Sequence, residues 1–78
     1  MYTVYILRSL KDGKYYYGCT ADIEKRIAAH NAGKVRSTKF RRPFVLHYHE
    51  SCPTKALRRE RFFKSPAGYT WLKKRNII

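Results

Sequence analysis

The chain has 78 residues, which is enough for one domain with a thin core, because a chain this short buries only about 60% of its unfolded surface. It carries 18 lysines and arginines against five acidic residues, a formal net charge of +13, and this surplus predicts a polyanionic partner. No apolar run approaches the ~20 residues that a membrane-spanning helix needs, so such a helix is not expected.

Two cysteines, Cys19 and Cys52, are too few for a disulfide framework, and no export signal precedes the first strand-like segment. We therefore expect reduced thiols in a cytoplasmic protein that forms a single domain over residues 1–78. The cysteines and histidines have no C-x-x-C or H-x-x-x-H spacing, so a metal site built from them is not expected. Nucleic acid is the first candidate partner and an acidic protein the second. A membrane partner is not expected, because the N-terminus has no strongly amphipathic helix.

A β-hairpin is predicted at the start of the chain. Residues 2–9 are rich in β-branched and aromatic side chains and predict the first strand. Asp12-Gly13 predicts a two-residue turn, because a type I′ turn needs positive φ at both central positions. Residues 14–20 then return as the second strand.

The predicted turn sets which tyrosines share a face of the sheet. With this turn, Leu7 faces Gly18 and Tyr5 faces Thr20 across the hairpin. Side chains alternate along a strand, so Tyr5 and Tyr16 lie on one face, and Gly18 leaves space between them. The other two tyrosines of the YYY run point to the opposite face, where we expect them to pack in the core.

The next segment predicts a helix that Thr20 or Asp22 can cap and Gly33 can end. Two isoleucines four residues apart face the core. Arg26 and His30, also four apart, form a polar ridge beside them.

A basic loop and a third strand are predicted after this helix. Residues 34–42 have no periodicity and carry five cations. Residues 43–50 alternate in character and predict a strand with Phe44, Leu46 and Tyr48 on one face.

A second helix is predicted over residues 51–64, with an inward stripe formed by Ala56, Leu57, Glu60 and Phe63. Glu60 is a carboxylate at a position where a core residue is expected. Burying an unpaired charge costs several kcal/mol or more, so Glu60 needs a partner.

Ser65-Pro66 breaks the helical pattern, and residues 67–75 predict a last helix. The predicted order is β-β-α-β-α-α. We expect an α/β fold of the α+β type, with a small three-stranded sheet flanked by helices.

These residues, in this order, resemble the GIY-YIG nuclease family. VYI (4–6) occupies the place of the GIY triplet and YYG (16–18) the place of the YIG triplet. The family continues with a helix that carries an arginine and, in many members, a histidine four residues later, here Arg26 and His30, and with a glutamate, here Glu60. The resemblance covers nearly the whole chain. It is closest to the small stand-alone members and to the nuclease domain of excinuclease C.

The resemblance implies metal-dependent hydrolysis of a DNA phosphodiester. It implies that Glu60 holds one Mg²⁺ (or Mn²⁺) and that Arg26 contacts the phosphoryl oxygens. Tyr5 would orient or deprotonate the attacking water, Tyr16 would position water or phosphate, and His30 would accept or shuttle the proton. We expect Arg26, the metal and the cationic field to lower the pKa of Tyr5.

DNA binding is expected to come from cations of the basic loop through contacts that do not depend on sequence. The expected contacts are Lys34, Arg36, Lys39, Arg41 and Arg42. Branched or damaged DNA, a role in repair or recombination, and a protein partner that supplies specificity are the finer expectations. Two alternatives remain open: a nucleic-acid-binding module of the same fold that does not cut, and a basic adaptor that docks on an acidic protein.

Overall fold

The computed structural model describes residues 1–53 and 57–78, which contain three strands, three α-helices and one 3₁₀ turn. Their bounds are β1 Tyr2–Ser9, β2 Tyr15–Thr20, α1 Ile23–Asn31, the 3₁₀ turn Lys39–Arg41, β3 Phe44–Cys52, α2 Leu57–Phe63 and α3 Pro66–Lys74. The element order and the α+β class confirm the prediction. Within the described ranges, each helix is too short or too polar to cross a membrane.

The strands form an antiparallel sheet in the order β2-β1-β3, so β1 is the central strand. Both faces of β1 are buried. Val4 and Ile6 lie against Phe63 and Leu72 of the two C-terminal helices. On the opposite face, Tyr5, Leu7 and Phe44 form a second cluster with the isoleucines of α1. Residue 5 is thus held by core packing on the face that α1 covers.

The hairpin turn differs from the predicted two-residue type. Ser9 N–H donates to Lys14 O at 2.9 Å, which leaves a four-residue loop over 10–13. Gly13 has φ of +71°, but Asp12 does not have the positive φ that a type I′ turn requires. The hydroxyl of Ser9, which is buried, accepts hydrogen bonds from two backbone amides of the loop and so stabilises the wider turn.

The wider loop shifts the β1–β2 register by two residues, so Tyr5 faces Gly18 and Leu7 faces Tyr16. The predicted pairs were therefore wrong, but the faces are right, since side chains repeat every two residues. Tyr5 and Tyr16 do share a face. A Cβ at Gly18 would collide with the Tyr5 ring and hydroxyl, so this glycine makes room for the phenol.

A β-bulge in β3 divides a second set of residues between the two faces of the sheet, contrary to the prediction. The register between β1 and β3 shifts by one residue, and His47 is the extra residue between Leu46 and Tyr48. Phe44 therefore packs beside Tyr5, whereas Tyr48 packs on the opposite face. The prediction that Phe44, Leu46 and Tyr48 share one face was wrong.

The second helix begins later than predicted, because β3 continues to Cys52, which pairs with Tyr2. Ala56 and the side chain of Leu57 lie outside the described residues. Phe63 is buried, as expected. Glu60 is partly buried, and its carboxylate lies 3.0 Å from Lys64 Nζ, one helical turn further on.

A network centred on Arg59 joins α2 to the sheet and to α3. Its guanidinium donates to both carboxylate oxygens of Glu50, at 2.8 and 3.0 Å, and Tyr48 Oη donates to the same carboxylate at 2.6 Å. The guanidinium also lies 4.5 Å from the Trp71 ring and 4.7 Å from the Phe63 ring. Its hydrogen bonds lower the pKa of Glu50 and keep it ionised.

Candidate active site

The hydroxyl of Tyr5 is hydrogen-bonded to two other predicted site residues. Tyr5 Oη lies 3.3 Å from His30 Nε2, and Arg26 Nε donates to Tyr5 Oη at 3.4 Å. Tyr5 is 1% exposed and His30 0% exposed, whereas Arg26 is only partly buried. The buried pair therefore lies beneath a guanidinium that is partly exposed to solvent.

Helix α1 is fixed at both ends, and this sets the positions of its two site residues. Asp22 is the N-cap, and its carboxylate accepts from Lys25 N–H at 3.1 Å. Thr20, the other predicted cap, instead bonds to the backbone of Asp22. Gly33, with φ of +76°, follows the last turn of α1. The N–H groups of Gly33 and Lys34 donate to carbonyls of that turn, as in a Schellman motif.

The C-terminal end of α1 is joined to the start of β3. Asn31 Nδ2 donates to Phe44 O at 3.0 Å, and Phe44 N–H donates to Asn31 Oδ1 at 2.6 Å. The Phe44 and Tyr16 rings lie 5.8 and 5.0 Å from the His30 ring, centroid to centroid. The imidazole is therefore held between aromatic rings from two strands. Sequence reasoning missed Asn31, which follows the site histidine directly.

Thr38 is a second residue that sequence reasoning missed. It is fully buried, and its Oγ1 lies 2.7 Å from His30 Nδ1. It belongs to the segment predicted as a basic loop. A single threonine among five cations gives no periodic signal, so the contact with residue 30 could not be found from the sequence.

The hydrogen bonds together assign the His30 tautomer. Arg26 Nε–H donates to Tyr5 Oη and Thr38 Oγ1 donates to Val35 O, so the arrangement that gives every proton a partner directs the phenol proton to His30 Nε2. The proton of a neutral imidazole then sits on Nδ1 and is donated to Thr38 Oγ1. The Thr38 hydroxyl in turn donates to the carbonyl of Val35 at 3.4 Å.

Burial controls the charges of these groups. It raises the pKa of Tyr5 and outweighs the opposing hydrogen bond and charge of Arg26. Arg26 acts in the expected direction and lowers this pKa, but removing the phenolate from water costs more than one guanidinium returns, so the net shift is upward. Burial also lowers the pKa of His30, and the charge of Arg26 adds to this effect. At neutral pH the pair is therefore a phenol and a neutral imidazole.

A hollow of about 320 Å³ lies beside Arg26, at the N-terminal end of α1. Its lining residues are Thr20, Ala21, Asp22, Lys25, Arg26 and Ala29. Part of a substrate that enters this hollow would contact the Arg26 side chain above the buried phenol.

Residues 1–76 match the model of the GIY-YIG catalytic domain. The chain belongs to the GIY-YIG family. A UPF0213 protein of Bacillus pumilus is 42% identical over 77 residues, which cover 95% of this chain and 72% of that protein. A UPF0213 protein of Halobacterium salinarum is 43% identical over 63 residues, covering 77% and 80% of the two chains. The solution NMR structure of a UPF0213 protein from Bacillus halodurans has a TM-score of 0.54 and 38% identity, and covers 95% of this chain and 84% of that one.

GIY-YIG nucleases generally depend on a divalent metal ion, and Glu60 is the candidate ligand of this domain. The described residues contain no group of three or more histidine, cysteine, aspartate or glutamate side chains placed to share a metal ion. Mg²⁺ often binds proteins through one or two carboxylates, with water and substrate phosphates completing its shell, so one partly exposed carboxylate fits it. Glu60 also lies near enough to Tyr5 for its charge to contribute, as the smallest cause, to the raised phenol pKa.

The buried imidazole of this GIY-YIG domain predicts a measurable titration. We expect an NMR titration of the His30 ring to give a midpoint below the ordinary value of about 6.5. The unfolded chain then takes up this proton at higher pH than the folded chain, so stability falls as the pH drops below about 6.5. Arg26→Gln removes one of the two causes and should raise the midpoint part of the way. A midpoint at or above 6.5 in the unchanged protein would contradict this picture.

Proposed function

We propose that this GIY-YIG domain is a metal-dependent endonuclease that hydrolyses DNA phosphodiester bonds. The observation that carries the proposal is the hydrogen-bonded group of Tyr5, His30 and Arg26. It joins a proton donor to a neutral base and to a permanently charged guanidinium next to an open hollow. Any buried hydroxyl needs a hydrogen-bond partner, but here both partners are ionisable side chains of the helix that borders the hollow.

In this proposal, Tyr5 and His30 handle the proton. The attacking water gives a proton to Tyr5 Oη while the phenol gives its own proton to His30 Nε2, so a free phenolate is not required. This relay suits the raised phenol pKa, because the charge that develops is an imidazolium stabilised by its bond to Thr38. The lowered pKa of His30 keeps it in the neutral form that can accept a proton.

Arg26 is proposed to bind the phosphoryl oxygens, where negative charge increases in the transition state. Its bond to Tyr5 is long, at 3.4 Å, and the side chain is only partly buried, so the guanidinium can turn toward a phosphate. That movement would uncover Tyr5 Oη, which is otherwise almost inaccessible to water. Phosphate binding and exposure of the phenol are therefore coupled.

Glu60 and Tyr16 complete the proposed site. A divalent metal ion held by Glu60 would stabilise charge on the leaving oxygen. Glu60 must then give up its 3.0 Å contact with Lys64, a half-exposed partner. Tyr16, whose ring lies edge-on to His30, is proposed to position water or phosphate with its hydroxyl.

The basic loop is the proposed DNA-binding surface, and its cations differ in how strongly they are held by contacts within the protein. Arg41 pairs with Asp12 at 2.9 Å and donates to Tyr15 O, so much of its role is structural. The exposed cations, which we propose to contact phosphates, are Lys34, Arg36, Lys39 and Arg42. Binding through these contacts should weaken steeply as salt is raised. Branched or damaged DNA, a role in repair and a cytoplasmic location remain parts of the proposal.

Incubation of supercoiled plasmid with the protein tests this function. We expect nicked plasmid with Mg²⁺ or Mn²⁺ and intact plasmid with EDTA. Plasmid that is shifted on a gel but intact in every lane would support a module that only binds. Plasmid that is neither cut nor shifted would favour an adaptor for an acidic protein.

The burial of Tyr5 favours the nuclease over the binding module. A tyrosine that is 1% exposed cannot offer its ring to a base for stacking. Its hydroxyl is instead bonded to two ionisable side chains, an arrangement that proton transfer can use.

A further inference from the structure

Phe40 is an apolar ring presented to solvent within the most basic part of the chain. It is 76% exposed, although it lies in the 3₁₀ turn between Lys39 and Arg41. A core role is excluded by this exposure. A ring held in water among cations therefore raises the question of what it contacts.

The backbone that carries Phe40 is held firmly against the β1–β2 hairpin. Lys11 Nζ donates to Phe40 O at 2.9 Å, and Ser9 Oγ donates to Arg41 O at 2.5 Å. Arg41 Nε donates to Asp12 at 2.9 Å, and this bond lowers the pKa of Asp12 to about 2. The hairpin and the turn thus form one unit, and the Phe40 ring projects from a fixed base.

The inner side of the same segment reaches the candidate active site. Thr38, two residues before Phe40, is fully buried and bonded to His30 Nδ1 at 2.7 Å. One short segment therefore contacts the proton-accepting residue with its inner side and exposes an aromatic ring on its outer side. The segment that carries the Phe40 ring is therefore tied through Thr38 to the candidate active site.

The charges around the ring indicate the chemistry of its partner. Lys39 Nζ lies 5.6 Å from the ring centroid, and the exposed Arg42 follows in the chain. The nearby carboxylate of Asp12 is already paired with Arg41. A partner must therefore combine a flat apolar face with negative charge around it, and an unstacked base between two phosphates has both.

We infer that Phe40 stacks on an unpaired or unstacked base of the bound DNA, so that this domain prefers DNA with a distorted or unpaired position over a regular duplex. The inference rests on the proposed DNA substrate and names its structural class. In a regular duplex every base face is covered by its neighbours, so the ring has no place to bind unless a base step opens.

Binding in EDTA, where cleavage is not expected, tests the inference. The probes are two fluorescent duplexes of the same sequence, one fully paired and one with a single unpaired adenine. We expect the unchanged protein to bind the second about tenfold more tightly, a typical contribution of one stacked base. Phe40→Ala should abolish this preference and leave affinity for the paired duplex within about twofold. Tyr69→Ala, which removes another exposed aromatic ring, on α3, is the matched control and should keep the preference.

Phe40→Trp gives a direct readout of stacking. Its emission should fall when the unpaired duplex is added and change little with the paired duplex, and Trp71 of the unchanged protein supplies the background signal. Equal affinity of the unchanged protein for both duplexes, or a preference that survives in Phe40→Ala, overturns the inference and leaves the nuclease proposal standing. Failure to bind either duplex, even at low salt, overturns both.

Discussion

Glu60→Gln should abolish metal-dependent cleavage, with a loss of at least about a hundredfold in rate, and leave the fold intact. The amide keeps the shape of the side chain but removes the negative charge that we propose holds Mg²⁺. A bound metal ion contributes several kcal/mol to the transition state, which corresponds to such a loss. The change also removes the contact with Lys64, but an exposed ion pair contributes at most about 1 kcal/mol to stability. The plasmid assay and a thermal melt measure the two effects separately.

Lys64→Met is the matched control for this variant. It removes the same ion pair and leaves the carboxylate of Glu60 in place. We expect it to keep cleavage and to melt close to the unchanged protein. Full activity in Glu60→Gln would remove Glu60 from the site and, with it, the proposed metal ligand.

Tyr5→Phe should reduce the cleavage rate by about a hundredfold or more, the usual scale for loss of a positioned proton-transfer group. DNA affinity should stay similar, because the phosphates are bound by exposed cations. The ring keeps its place opposite Gly18, so packing of the central strand is preserved. His30 Nε2 loses its buried partner, which should lower stability by about 1–3 kcal/mol. Single-turnover rates with a labelled duplex, together with binding in EDTA, measure the two quantities.

Tyr17→Phe is the control for Tyr5→Phe. Tyr17 lies in the neighbouring strand but packs on the opposite face of the sheet. Loss of its hydroxyl should leave the rate unchanged. If Tyr5→Phe also cleaved at the normal rate, Tyr5 would be a packing residue and the proposed proton relay would be wrong.

The shared face of Tyr5 and Tyr16 was predictable, because it depends only on the alternation of side chains along a strand. The wider hairpin loop moved Tyr5 from opposite Thr20 to opposite Gly18, a shift of two residues. An even shift keeps every side chain on its face, so Tyr5 and Tyr16 remained together despite the wrong pairs. The bulge at His47 inserts one residue, an odd shift, and so the predicted face of Tyr48 was lost.

Contacts between distant segments could not be predicted in the same way. Thr38 reaches His30 only because the basic loop folds back under α1, and no local pattern marks that path. The net direction of the Tyr5 pKa shift could not be predicted for a related reason. The sequence revealed the nearby cation Arg26 but not the depth of burial, and burial is the larger of the two effects.

The internal contacts of Arg59 affect how many of the chain's cations can bind a polyanion. Its guanidinium contacts a carboxylate and aromatic rings, and that of Arg41 lies in the same way beside Asp12 and Phe44. These two arginines act as cross-links between elements of the fold, and each would have to give up an internal ion pair to bind a phosphate with its whole guanidinium. The formal charge of +13 therefore overstates the number of ionic contacts that the protein can form with a polyanion. Lysine at position 59 would preserve that formal charge but weaken the junction between the sheet and its C-terminal helices, because an ammonium group can neither bridge both oxygens nor stack as a plane.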